Sequence, residues 1–237
     1  RRQKTPYEFA TANLSTRDME RASQLPPRDK FEERSRLQQL MVGTQYSPTL
    51  DYIDSLEFDR LHSIVDPSAW LSRLTLPKFM AMCTKDLVFQ DHIDNTKVFF
   101  DQMLGQKGFL EVANCEHEDT SLRSLPSVAA FFRGALLNLT MPEVSSWHDP
   151  ATGMITARQV GNHKPRAAVF WTGDADFSRD WSNATWTPEY LIPGDELQAE
   201  LAGPPAGYRA AFIEFEYAYP TDRHSFKTST PVFVVPQ

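Results

Sequence analysis

The spacing of apolar and polar positions changes twice along the chain, and each change predicts a different kind of element. Residues 1–45 have little apolar periodicity. Arg, Glu and Gln dominate, Pro26-Pro27 interrupts, and "RDKFEERSRLQQLM" reads as a solvated helix after a flexible arm. An excised or cleaved loop inside a larger domain is the alternative reading of this stretch. From residue 46 compact apolar runs alternate with helical spacing. "LPKFMAMC" (Leu76 to Cys83) predicts a short buried strand after a proline. "DHIDNTKVFFDQML" (Asp91 to Leu104) places Ile93, Val98, Phe99 and Met103 on one side of a helix. "KGFLEVAN" (Lys107 to Asn114) is a second strand, and "SLRSLPSVAAFFRGALLN" (Ser121 to Asn138) a second helical run. Strand, helix, strand, helix predicts parallel strands joined by a right-handed crossover, an α/β organisation.

Beyond Trp147 the pattern becomes short runs separated by Gly and Pro: "GMITARQV", "RAAVFWTG", "ELQAEL", "YRAAFIEFEYAY" and "TPVFVVP". Period-two alternation, as in Phe212-Ile213-Glu214-Phe215-Glu216-Tyr217, predicts antiparallel strands in a β-sandwich. The expected organisation is a polar arm or processed insertion over 1–45, an α/β part over 46–142 and a β-sandwich domain over 143–237.

Composition narrows the function classes. The chain has 237 residues, 41% hydrophobic, enough for a sizeable core. Its 24 Lys and Arg against 31 Asp and Glu give a net charge of −7, which argues against nucleic acid as a partner. The longest apolar runs fall well short of the ~20 residues that a membrane span needs. The opening Arg1-Arg2-Gln3-Lys4 contains no Met and precedes no apolar signal segment, which suggests an internal piece of a longer product. Asn13, Asn138 and Asn183 stand in N-x-[ST] sequons, where chance would supply roughly one; they are glycosylation candidates and favour a secretory route.

The candidate chemistry lies where the two predicted parallel strands end, because loops diverge there and leave a crevice. Asp86 follows the first strand and His117 the second. Adjacent strands ~4.8 Å apart bring a carboxylate within reach of an imidazole. An Asp that orients a His, which then deprotonates a hydroxyl, is two thirds of a nucleophilic triad. Most Asp and His residues at loop starts are turn formers, so spacing alone leaves both readings open. Cys83 and Cys115, near the same strand ends, form either a disulfide bracing these loops or two buried thiols.

Several longer stretches carry a resemblance. "LHSIVDPSAWLSRLTLPKFMAMCTKDLVFQD", "FFDQMLGQKGFLEVANCEH", "AVFWTGDADFSRDW", "GYRAAFIEFEY" and "FKTSTPVFVVP" occur in one order from Tyr46 onward. Together they resemble the PhoPQ-activated pathogenicity-related protein family, relatives of the α/β-hydrolases with a C-terminal β-domain. The resemblance implies the carboxyl half of an α/β-hydrolase-type parallel sheet followed by a small β-sandwich, with Asp86 as acid and His117 as base. The family pattern has a glycine in the acid's turn and two phenylalanines after it. Here the turn is Cys83-Thr84-Lys85 and the sequel Leu87-Val88-Phe89. No serine in this chain stands in a G-x-S-x-G elbow.

The implied function is therefore a serine hydrolase of esterase or peptidase type, with its nucleophile upstream in an N-terminal portion of the same gene product. The alternative is an inactive scaffold whose β-domain binds a protein partner. No cofactor is expected. Asp91, His92 and Asp94 read as a helix start rather than a metal site. Asp174-Ala175-Asp176 lacks the glycine and glutamate of a calcium loop, and a turn stabilised by Arg179 accounts for it. The tryptophans and the Phe212–Tyr219 run read as core packing, with a ligand-stacking platform as the alternative.

Overall fold

The computed structural model describes residues 67–86, 93, 100–177, 179–218 and 225–237, with the isolated positions Leu56, Arg60, Ser63 and Ile64. The predicted arm over 1–45 and most of the predicted helix Asp91–Leu104 lie outside the described residues. The chain divides into two compact units, residues 1–74 with 101–103, and residues 75–100 with 104–237. Of the first, a 3₁₀ helix spans Pro67–Arg73, with the Arg73 guanidinium 4.9 Å from the centre of the Trp70 ring.

The second unit begins with strands β1 (Lys78–Cys83) and β2 (Lys107–Val112), paired in parallel with Met80 opposite Phe109 and Cys83 opposite Val112. Helix α1 (Thr120–Leu136) follows and buries Ser124, Ser127, Ala130, Phe131 and Gly134. Gly134 has a packing reason: a Cβ there would come 2.2 Å from the Met141 sulfur. All later strands are antiparallel. β3 (Glu143–Asp149), β4 (Met154–Val160) and β7 (Glu196–Glu200) form one sheet with β4 central. The other contains β5 (Ala167–Ala175), β6 (Thr187–Leu191), β8 (Tyr208–Ala218), β9 (Ser225–Ser229) and β10 (Phe233–Pro236). β8 is the spine: β5 runs along one edge, while β10 and β9 share the other.

Alternation sorts the side chains of β8 into two layers. Ala211, Ile213, Phe215 and Tyr217 face one core with Ile155, Ala157, Leu197 and Ala199 of the smaller sheet and Phe131 of α1. Ala210 and Phe212 face another with Trp181, Trp186, Ala113 and Ile93. Both faces of β8 are therefore buried. Gly173 on β5 lets the Trp186 ring lie against the backbone, since a Cβ there would meet the ring at 2.8 Å.

The predicted α/β-hydrolase parallel sheet is contradicted. Among the described residues the parallel pairing is confined to β1 and β2, α1 is the single long helix, and the remaining sheets are antiparallel. The backbone of β2 shows why. Its Gln106 and Val112 carbonyls face β1, accepting from the Lys78 and Thr84 N–H groups. Its opposite edge is closed by side chains: Glu111 N–H donates to Ser229 Oγ at 2.8 Å and Thr228 Oγ1 donates to the Phe109 carbonyl at 2.7 Å. Hydroxyls of β9 thus satisfy backbone groups to which another parallel strand would bind. Of the strand-helix-strand-helix reading, the two strands and the second helix are found, and their extension into a larger parallel sheet is not.

Candidate active site

The two turns that follow the parallel strands meet. β1 ends in Cys83, and Thr84-Lys85-Asp86 turns with Asp86 N–H donating to the Cys83 carbonyl at 3.0 Å. None of these residues has positive φ, so the turn needs no glycine. β2 runs into Ala113 and Asn114, which adopts φ 51°, in the left-handed region that Asn tolerates better than most side chains. That reversal aims Cys115, Glu116 and His117 back toward the β1 turn. Lys85 N–H donates to the Cys115 carbonyl at 2.9 Å, and Asn114 N–H donates to Thr84 Oγ1 at 2.9 Å.

This scaffold places Asp86 Oδ2 2.8 Å from His117 Nδ1. The Asp86 side chain is 3% exposed and that of His117 39% exposed, so the acid is sealed and the base reaches solvent. A carboxylate accepting from Nδ1 holds the ring proton there and makes Nε2 the nitrogen that takes up a proton. The geometry is that of an acid-oriented base. Thr120 Oγ1 donates to the His117 carbonyl at 2.8 Å, fixing the short 3₁₀ turn His117–Asp119 against the start of α1.

Cys83 and Cys115 are joined by a disulfide, with Cα atoms 4.8 Å apart and a sequence separation of 32. The bridge ties together the two loops that carry the dyad. Asn114, which the sequence analysis did not single out, does comparable work toward the antiparallel part. Its amide Nδ2 donates to the Trp186 carbonyl at 2.8 Å and its Oδ1 accepts from the Trp186 N–H at 2.9 Å. Arg123 Nη1 donates to the Asn114 carbonyl at 2.8 Å. The signal available in the sequence was an Asn directly after a strand, which marks a left-handed turn but says nothing about Trp186.

The other predicted positions fall elsewhere. Asn138 is exposed at the end of α1 with φ 54°, and Asn183 is exposed in a 3₁₀ turn spanning Trp181–Asn183. Asn13, Asp91, His92 and Asp94 lie outside the described residues. Asp174 receives both arms of Arg209, at 2.6 and 2.8 Å, which hold that guanidinium's pKa above its ordinary value. The expected Arg179 brace takes another form: its N–H donates to the Asp176 carbonyl at 3.1 Å, while its guanidinium lies 4.5 Å from the centre of the Tyr208 ring. Trp181 and Trp186 are buried in the core, whereas Trp147 is 44% exposed beneath Arg158. Among the described residues no group of three or more His, Cys, Asp or Glu could hold a metal ion. No helix among them is long and apolar enough to cross a membrane.

Among characterised proteins, the chain is similar to "Autocrine proliferation repressor protein A" of Dictyostelium discoideum, at 24% identity over 216 residues. The match covers 79% of this chain and 43% of the relative, so the chain spans less than half of that protein's length. No solved structure matches the chain. The family model for the PhoPQ-activated pathogenicity-related proteins matches residues 45–182, more than half of the sequence and inclusive of Asp86, His117 and both cysteines. The chain belongs to the PhoPQ-activated pathogenicity-related protein family.

Proposed function

We propose that the chain supplies the acid and base of a serine hydrolase of esterase or peptidase type. Asp86 orients His117, and His117 Nε2 withdraws the proton of a serine carried by a segment upstream of this sequence. The observation that carries this reading is the 2.8 Å contact between a buried carboxylate and a half-exposed imidazole. Support for the missing nucleophile comes from the absence of a serine elbow in the sequence and from the chain's 43% coverage of its relative. We also place the protein on a secretory route, a reading supported by the disulfide and by the exposed sequons at Asn138 and Asn183.

The experiment is fluorophosphonate labelling of the product of the complete reading frame, secreted from a eukaryotic host. The expected result is one labelled serine outside this chain, with labelling reduced at least about a hundredfold in His117→Gln, a typical loss for a general base. A folded product that stays unlabelled overturns catalysis. The same material is expected to lose mass at Asn138 and Asn183 with an endoglycosidase, and unmodified asparagines would remove that support for secretion.

A second reading has its own observation. The relative's name describes a repressor of proliferation rather than an enzyme. By that analogy the Asp86–His117 pair is a retained structural contact in a protein that acts by binding a partner, and an unlabelled but folded product favours it.

A further inference from the structure

The larger antiparallel sheet leaves a cavity of about 260 Å³ where the end of β8, β9, the segment between α1 and β3, and the β4–β5 loop come together. Leu139, Met141, Pro142 and Phe226 give it apolar walls, and His163 and Lys164 bring the titratable nitrogens to its rim. None of these residues belongs to the Asp86–His117 site.

The lining has one-sided charge. In a chain with a net charge of −7, no Asp or Glu among the described residues lines this cavity. Among the described residues Lys164 and His163 have no hydrogen bond or ion pair. Lys164 is exposed and His163 half-buried. Of the two other polar side chains in the wall, Thr140 is exposed and Tyr217 is already used: its hydroxyl donates to Gln159 Oε1, and the side chain is 3% exposed. Burial pushes the Tyr217 pKa up, so the phenol stays neutral and adds no competing anion.

An apolar wall with a few polar groups gathered at one end selects a ligand of the same polarity pattern. Lys164 contributes a cation that an anionic head satisfies, and His163 a second donor beside it. The walls favour an aliphatic or single-ring body, which a bare inorganic anion lacks. We propose that this cavity binds a small monocarboxylate with an apolar body, its carboxylate at Lys164 and His163 and its body against Met141 and Phe226.

Isothermal titration of octanoate into the 237-residue chain tests the assignment. The expected result is saturable one-site binding, with octan-1-ol at least about tenfold weaker because it lacks the charge, a difference of about 1.4 kcal/mol. Acetate and sulfate are expected not to compete, because neither fills the apolar walls. Lys164→Glu, on an exposed loop, should weaken octanoate at least about tenfold, and Ala218→Trp, which fills the cavity, should abolish binding. Urea midpoints verify that both variants fold; if Ala218→Trp does not, Lys164→Glu alone decides. Absence of saturable binding overturns the proposal, as does a folded variant that binds octanoate like the unaltered chain.

Discussion

The parallel pair β1–β2 and the antiparallel sheets are held together by different physics. In the sheets, order comes from area: Phe212, Ile213 and Phe215 on β8 are fully buried, and β8 presents alternate residues to one core and the other. In the parallel pair, where Phe109, Leu110 and Val112 are buried as well, individual bonds add to the area: a disulfide, the Asn114 clasp on Trp186, and two hydroxyls from β9. A region stabilised by area tolerates the loss of a single contact better than one stabilised by a few links. The candidate chemistry sits in the second kind, where a few links fix its position.

The largest effect is expected in the sheets. Phe215→Ala removes a fully buried ring between the two sheets and is expected to cost about 3–5 kcal/mol in urea-unfolding free energy. Hydrogen exchange should accelerate over β4, β5 and β8 together, because they share one core. A cost under about 1 kcal/mol would show that area does not hold this part.

Next is the bridge. Replacing both cysteines by alanine opens a link across a sequence separation of 32 and is expected to cost about 2–4 kcal/mol. Unlike Phe215→Ala, it should accelerate exchange chiefly over residues 83–86 and 113–117, while β8 keeps its protection relative to global unfolding. Equal acceleration in both regions would erase the distinction between them.

The same contrast explains what was legible in the sequence. Strands β4, β5, β7 and β8 show themselves because burial on one or both faces imposes a pattern on their residues. Strands β3 and β6 do not: both lie at sheet edges, and in β6 Thr187 to Tyr190 are all exposed, so no periodicity is imposed. β9 gave no signal as a strand, yet Thr228 and Ser229 decide where the parallel pairing stops. Asp86 and His117 were legible because a strand end fixes position in the chain and position in space together. Asn114 was not, because its partner is the backbone of Trp186, 72 residues away, and a backbone partner leaves no trace in residue type.

The smallest of the three predicted effects probes that least legible link. Asn114→Ala deletes both side-chain bonds to Trp186 and forces alanine into φ 51°, whereas Asn114→Gly deletes the same bonds without the conformational strain. Because Asn114 is largely exposed, water replaces part of what is lost, and each bond is worth about 0.5–1 kcal/mol. The expected order is unaltered chain, then Gly lower by about 1 kcal/mol, then Ala lower by about 2 kcal/mol, read from urea midpoints. If the clasp also holds the His117 loop, the Nδ1 proton of His117 should exchange faster in both variants, in proportion to the bonds lost and not to the backbone strain. Equal exchange in the variants and the unaltered chain would mean that the disulfide and the Thr84 contact position the dyad alone. Asn114 would then belong to the stability of the antiparallel part rather than to the geometry of the site.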